Sequence, residues 1–281
     1  MIGQLDRIRE LEKLQNPKSN NSSQKIVAVT SGKGGTGKTF LAANFAYQLS
    51  KSKKILLVDL DFNLSNLHLL FNAHPKKTLN NYFASKSLFE EIITKYNSDL
   101  DLIFGDSGIV NQNKPTVYQI ERMLDELDKI SSIYDLIIFD LGAGVSEENL
   151  FILSKSKIKL VVTNPEPTAL MDAYVLIKLL KSNNAEDGIN IIVNRCYDEL
   201  EGYQAYDNLK SAVDHFLKST INFIAEIPES VEVRKSIIDQ KLFAEHQKSN
   251  TVITSINKAL VEFGKIHQVF NINQPALQHA S

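Results

Sequence analysis

Two lysines share one glycine-rich stretch, SGKGGTGKTF (Ser31–Phe40): Lys33 and Lys38. The stretch follows an apolar run and opens a helical one, and in that setting GKGGTGKT (Gly32–Thr39) can wrap a phosphate. Glycines let successive backbone N–H groups turn inward, and a helix N-terminus adds positive potential. Gly32, Gly34, Gly35, Thr36, Gly37 and Phe40 are expected to line that cradle. Lys38 is placed to bridge β- and γ-phosphates, and the Thr39 hydroxyl to ligate Mg²⁺. A phosphate loop needs only Lys38, and Lys33 sits near the mouth of the turn, too far round it to share that position.

Carboxylates gather at the ends of two later apolar runs. VDLDFNLSNLH (Val58–His68) sets Asp59 and Asp61 one residue apart. Alternate side chains of a strand leave by one face and like charges repel, so packing alone does not explain the pair. IIFDLGAG (Ile137–Gly144) ends on Asp140 before a glycine turn, and INIIVNR (Ile189–Arg195) ends on Asn194, whose amide can both donate and accept.

The elements that must hold these residues follow from hydrophobic patterning. Strands are expected at 25–31, 55–61, 100–105, 134–140, 157–163, 189–194 and 220–227, mostly as continuous apolar runs, the mark of strands covered on both faces. Helical stretches are expected at 38–50, 119–129, 167–181 and 206–218. Alternation of this kind predicts an α/β fold, a doubly wound, mostly parallel sheet of about seven or eight strands with helices on both faces. Its ligands should lie at the carboxyl ends of the strands, where the polar residues are.

Composition sets the outer limits. The chain has 281 residues and a formal net charge of −2, without the strongly positive balance that non-specific nucleic-acid binding needs. Cys196 is the single cysteine, so no internal disulfide can form. No apolar run approaches the ~20 residues of a membrane span, and the leading residues MIGQLDRIRELEK lack a signal-type apolar core. A cytoplasmic protein is expected. Residues 1–15 carry Ile2, Leu5, Ile8, Leu11 and Leu14 at every third position and read as a short amphipathic helix; NPKSNNSSQ (16–24) reads as a polar linker, 25–270 as one domain and 271–281 as a disordered tail.

The lysine-doubled loop resembles the deviant phosphate loop, KGGxGK(T/S), of the MinD/ParA ATPases. VDLDFNLSNL is similar to their first switch, VDxDxxxxNL, and IIFDLGAG to their Walker B and second-switch region. The resemblance spans nearly the whole domain and implies ATP and Mg²⁺ as ligands, slow hydrolysis, and an ATP-dependent homodimer in which Lys33 reaches the nucleotide of the other copy. It implies Asp59, through water, and Asp140 around Mg²⁺, Asp61 positioning the attacking water, and Gly142 letting the backbone approach the γ-phosphate. Asn194, followed by Arg195, would read adenine. A loop from Ile227 through Pro228, Glu229 and Ser230 would flank the base.

GQLDRIREL (Gly3–Leu11) is similar to the DQAxxLR segment of the FlhG branch, the flagellar regulators, with Gln4, Ile8 and Arg9 on matching positions and Gly3 and Leu5 departing from it. That branch implies a flagellar signal-recognition-type GTPase as partner, with flagellar switch components or a flagellar transcription regulator as further candidates. Division-site and DNA-segregation ATPases are the alternatives, and binding to DNA is not expected. Ile253, Ile256, Leu260, Phe263, Ile266 and Phe270 form a helical stripe poor in basic neighbours, expected to pack on the sheet rather than on lipid; weak peripheral attachment to the inner face of the membrane in the ATP-bound state is the competing expectation.

Overall fold

The computed structural model describes residues 25–63, 65–106, 114–247 and 249–267. The expected N-terminal helix with Gln4, Ile8 and Arg9, the linker, Phe270 and the tail lie outside the described residues. The elements run β1 (Ile26–Thr30), α1 (Lys38–Leu49), β2 (Ile55–Leu60), α2 (Leu67–Leu70), α3 (Leu79–Phe83), β3 (Ile93–Lys95), β4 (Leu100–Ile103), α4 (Val117–Ile130) and β5 (Leu136–Leu141). They continue with α5 (Glu147–Lys155), β6 (Ile158–Thr163), α6 (Pro167–Ser182), β7 (Ile189–Cys196), α7 (Glu199–Ala212), β8 (Asn222–Pro228), α8 (Val231–Ile238), α9 (Phe243–His246) and α10 (Thr251–His267).

The eight strands form one sheet in the order β3-β4-β2-β5-β1-β6-β7-β8. Every pairing is parallel except the antiparallel edge pair β3–β4. The residues of β1, β2, β5 and β6 are all buried, which is why those strands are apolar without alternation. One apolar core lies between the sheet and α1, α9 and α10; the other lies between the opposite face and α4, α5, α6 and α7. The doubly wound α/β architecture is the expected one. Strand order reverses about β1, and the polar strand ends beside it converge on one edge.

Several boundaries differ from expectation. β3 adds a strand whose three residues, Ile-Thr-Lys, carry no periodic signal. Helix α7 starts at Glu199 rather than Tyr206, because the Asp198 carboxylate accepts from the Glu201 backbone N–H at 2.8 Å and caps it. Its last turn widens into a π-helical stretch, Val213–Leu217, closed by Lys218 at φ 51°. Helices α2, α3, α5, α8 and α9 add to the expected set; the residues after Pro228, expected as a loop, are helical from Val231 to Ile238. In α10, Val252, Ile253, Ile256, Leu260 and Phe263 are buried against β8 and α1, so the C-terminal stripe belongs to the core, with Ile266 at its margin.

Candidate functional site

The site is built where β1, β2, β5 and β7 end. After Thr30 the chain makes the glycine loop and enters α1 at Lys38. Gly35 and Gly37 adopt φ 81° and 91°, a region that side-chain-bearing residues avoid. A Cβ on Gly37 would come 2.3 Å from the Asn194 amide nitrogen, and one on Gly32 would come 2.3 Å from the Asp172 carbonyl carbon in α6. The glycines therefore serve two purposes here: they permit the turn, and they let β7 and α6 close against it. Gly34 and Gly35 are exposed, while Thr36 is buried. Phe40 packs in the core with its ring 5.7 Å from that of Phe243, so it can offer the loop only its backbone.

Lys38 turns back into the loop toward the strand ends. Its ammonium lies 3.4 Å from Asp61 Oδ2 and 3.7 Å from Asp140 Oδ1, and it donates to the Thr39 hydroxyl at 3.3 Å. Burial works against the charge on Lys38, but Asp140, Asp61 and Asp59 outweigh it and hold the pKa above that of a free lysine. Asp140 is fully buried, and neither carboxylate oxygen accepts a hydrogen bond. Burial pushes its pKa up to about 7 against the opposing pull of Lys38. The Thr39 hydroxyl is near enough to favour the Asp140 anion without reaching ordinary hydrogen-bond geometry.

These oxygens fit Mg²⁺, a hard cation that prefers carboxylate, hydroxyl and water. Asp140 brings a buried, unbonded carboxylate and Thr39 a hydroxyl beside it. Among the described residues no cluster of three His, Cys, Asp or Glu side chains forms a cage. That suits an ion that takes most of its ligands from water and phosphate.

Asp59, expected to meet the ion only through water, is held by protein donors. Its Oδ2 accepts from the Ser65 hydroxyl at 2.5 Å and the Leu67 N–H at 3.2 Å, and its Oδ1 accepts from the Asp61 N–H at 3.1 Å. The carboxylate is thus spent tying the loop after β2 to the strand end. Burial raises its pKa, and those three donors oppose the rise. Asp61 stays at the surface of the cleft between Lys38 and the turn after β5; a Cβ on Gly142 would come 3.2 Å from its Oδ1.

Lys33 points out of the loop. Its ammonium donates to Glu166 Oε2 at 2.7 Å and to the Thr168 hydroxyl at 3.1 Å, at the N-terminal end of α6. The contact lowers the Glu166 pKa. Neither partner is expected from sequence: Glu166 lies just before the helix expected at 167–181 and Thr168 within it, 133 and 135 positions away.

The residues expected around the base do gather. Asn194 and Arg195 lie near the end of β7 before Cys196, which pairs with Pro228, the last residue of β8, and Glu229 N–H donates to the Cys196 carbonyl at 2.9 Å. A register shift opposite Arg195, itself at φ 61°, bulges it out of the ladder toward Glu229, 3.6 Å away. The Asn194 amide faces inward instead and donates to the Thr36 carbonyl at 2.7 Å. Its nitrogen is committed to the phosphate loop in this structure. Ser230 caps α8, accepting from the Val233 N–H at 3.3 Å. Cys196 is buried, and burial pushes its pKa up to about 12, which disfavours the thiolate.

A glycine loop between a central parallel strand and a helix, with carboxylates at the neighbouring strand ends, defines a phosphate-loop nucleotide-binding fold. A family model described as an AAA domain matches residues 24–193, more than half of the chain, and the chain belongs to that family in its MinD/ParA group. The flagellum site-determining protein YlxH of Helicobacter pylori is 30% identical over 92% of this chain and 89% of its own. The antiactivator FleN of Pseudomonas aeruginosa is 27% identical over 77% of this chain and 78% of its own. Among solved structures, the septum site-determining protein MinD of Pyrococcus horikoshii complexed with Mg-ADP superposes with a TM-score of 0.74 at 22% identity, covering 88% of this chain and 99% of that one. Members of this family bind ATP. No described helix is long and apolar enough to cross a membrane.

Proposed function

We propose that this protein is an ATP-dependent dimerising switch that hydrolyses ATP slowly and acts in flagellar placement or number. The observation that carries the reading is the pair of lysines. Lys38 lies among the strand-end carboxylates, where it can meet β- and γ-phosphates. The Lys33 side chain points out of the loop, part exposed, on a surface a second copy could approach. Gly32, Gly34, Gly35, Thr36, Gly37, Thr39 and the Phe40 backbone would cradle the triphosphate. Asn194, Arg195, Pro228, Glu229 and Ser230 would surround the base, with Asn194 turning from Thr36 or offering its amide oxygen.

In the hydrolytic step Asp61 orients a water for in-line attack on the γ-phosphorus as the bond to the bridging oxygen breaks, giving ADP and phosphate. Lys38, and Lys33 of the second copy, hold the charge that develops on the phosphoryl oxygens. Mg²⁺, held by Thr39 and Asp140, supplies further neutralisation of those oxygens when bound.

The flagellar assignment is supported by the name and coverage of the YlxH relative and by the N-terminal resemblance. Through Gln4, Ile8 and Arg9 the N-terminal segment would engage a signal-recognition-type GTPase. The FleN relative, an antiactivator, makes a flagellar transcription regulator a second target to test.

Light scattering with a non-hydrolysed ATP analogue tests the central claim. Wild type should double in mass, and Lys33→Ala should remain a monomer while still binding nucleotide. Dimers of unchanged strength in Lys33→Ala, or dimers of wild type without nucleotide, overturn the reading. A gel shift with random DNA at physiological salt separates it from a DNA-segregation ATPase, which should bind.

A further inference from the structure

The turn after β5 touches both halves of the site. Gly142 abuts Asp61, and the Gly144 N–H donates to the Ser31 carbonyl at 2.9 Å, at the first residue before the glycine loop. What holds this turn is a side chain from the next helix. Asn149 in α5 is buried, and its amide nitrogen donates to the Gly142 carbonyl at 2.9 Å and to the Gly144 carbonyl at 3.2 Å. Both N–H bonds of one amide are used on two carbonyls of one turn.

We propose that Asn149 is a positioning residue for the hydrolytic step: its amide clamps the 142–144 turn and sets how that turn meets Asp61 and the phosphate loop. The inference rests on the ATP hydrolysis proposed above. In a trans peptide the C=O and the following N–H point in opposite directions. Fixing the Gly142 and Gly144 carbonyls on Asn149 therefore fixes the N–H groups of Ala143 and Val145 on the side away from it. Glycines alone would leave this turn many conformations, since Gly142 and Gly144 restrict the backbone least. The clamp removes that freedom next to the residue assigned to orient water.

The chemistry of the side chain is specific. Aspartate has the shape but no N–H to give, and its charge would face two carbonyl oxygens. Alanine leaves the buried Gly142 carbonyl and the part-buried Gly144 carbonyl without that donor. Glutamine is one methylene longer and must buckle in a site where 4% of Asn149 is exposed. Asn149 also donates its backbone N–H to the Ser146 hydroxyl at 3.2 Å, which caps α5. A fault in the cap could be mistaken for a fault in the clamp, and Ser146→Ala distinguishes them: it removes the cap and keeps the amide.

The experiment measures ATP turnover, ADP affinity by fluorescence titration, and hydrogen exchange of the 141–148 amides in full-length wild type, Asn149→Ala, Asn149→Asp and Ser146→Ala. Both Asn149 variants should lose about tenfold or more in kcat, the scale of a small misplacement at a reacting centre. Their ADP affinity should stay within about twofold and their 141–148 amides should exchange faster, whereas Ser146→Ala should keep kcat and exchange close to wild type. Unchanged kcat in Asn149→Ala, unchanged exchange, or an equal loss in Ser146→Ala overturns the inference. If wild type turns over no ATP, the hydrolytic reading fails, and unchanged exchange in the Asn149 variants would independently sink the clamp.

Discussion

At the scale of single residues, the site balances three aspartates against one lysine, and the balance has a pH signature. Asp140 has its pKa raised to about 7 in the folded chain from an ordinary 3.8. A group that binds its proton more tightly when folded contributes stability that is full below its unfolded pKa and is lost as pH rises through the folded one. Asp140 should thus weaken the protein progressively between about pH 4 and pH 7. Asp140→Asn removes that burden: in Mg²⁺-free buffer its Tm should exceed that of wild type by a margin that grows over this window, while Mg²⁺ should no longer raise its Tm. A constant margin across pH would contradict the assignment. Asp61→Ala should leave nucleotide binding intact and accumulate ATP-bound dimers, read by light scattering and phosphate release together. Glu166→Gln should leave the melting curve unchanged, because the Lys33–Glu166 pair is exposed and such pairs add little to stability. Its effect, if Lys33 serves a second copy, should appear in the dimer equilibrium alone.

Elements decide how much of this could be read in advance. β1, β2, β5 and β6 are legible because strands buried on both faces leave uninterrupted apolar runs, and the phosphate loop because its geometry tolerates so few residues. The start of α7 is hidden by Gly202, which suggests a break in the pattern. It is there because a Cβ would come 2.5 Å from that of Glu226 and 3.0 Å from the Cys196 sulfur. Glu166, Thr168 and Ser65 join the site through folding, not through spacing, and no local pattern marks them. Asp59 reads as a metal-side carboxylate from its strand-end position, yet its burial and its three donors depend on how residues 65–67 fold back. The cap of α4 likewise lies ahead of the start expected for its helix at 119. Thr116 and Gln119 form a capping box at α4, with Thr116 Oγ accepting from the Gln119 N–H at 3.3 Å. Thr116→Ala should cost about 1 kcal/mol in a urea titration with an unchanged m value.

At the scale of the whole molecule, the nucleotide-facing helix is tied to the C-terminal segment. Asn44 in α1 is buried, accepts from the Ala244 N–H at 2.7 Å and donates to the Phe40 carbonyl at 2.7 Å. Together with the apolar face of α10, this makes α9 and α10 part of the same cooperative unit as the phosphate loop. Removing residues 251–281 would strip Val252, Ile256, Leu260 and Phe263 from the core, each worth roughly 1.5–3 kcal/mol. The truncated chain should show no cooperative thermal transition by circular dichroism. A sharp transition near the wild-type Tm would mean that α10 is an appendage.

The sheet's outer rim on the β3 side has a consequence for life in a crowded cell. Three residues of backbone, ending in Lys95, offer little template for an incoming strand, and a charged end discourages one. A protein that gathered repeatedly at one spot, as the proposed function would have it do, would be exposed to strand-to-strand clumping each time. Here that rim gives such contacts little purchase, which would leave the nucleotide-dependent pairing proposed above as the favoured association.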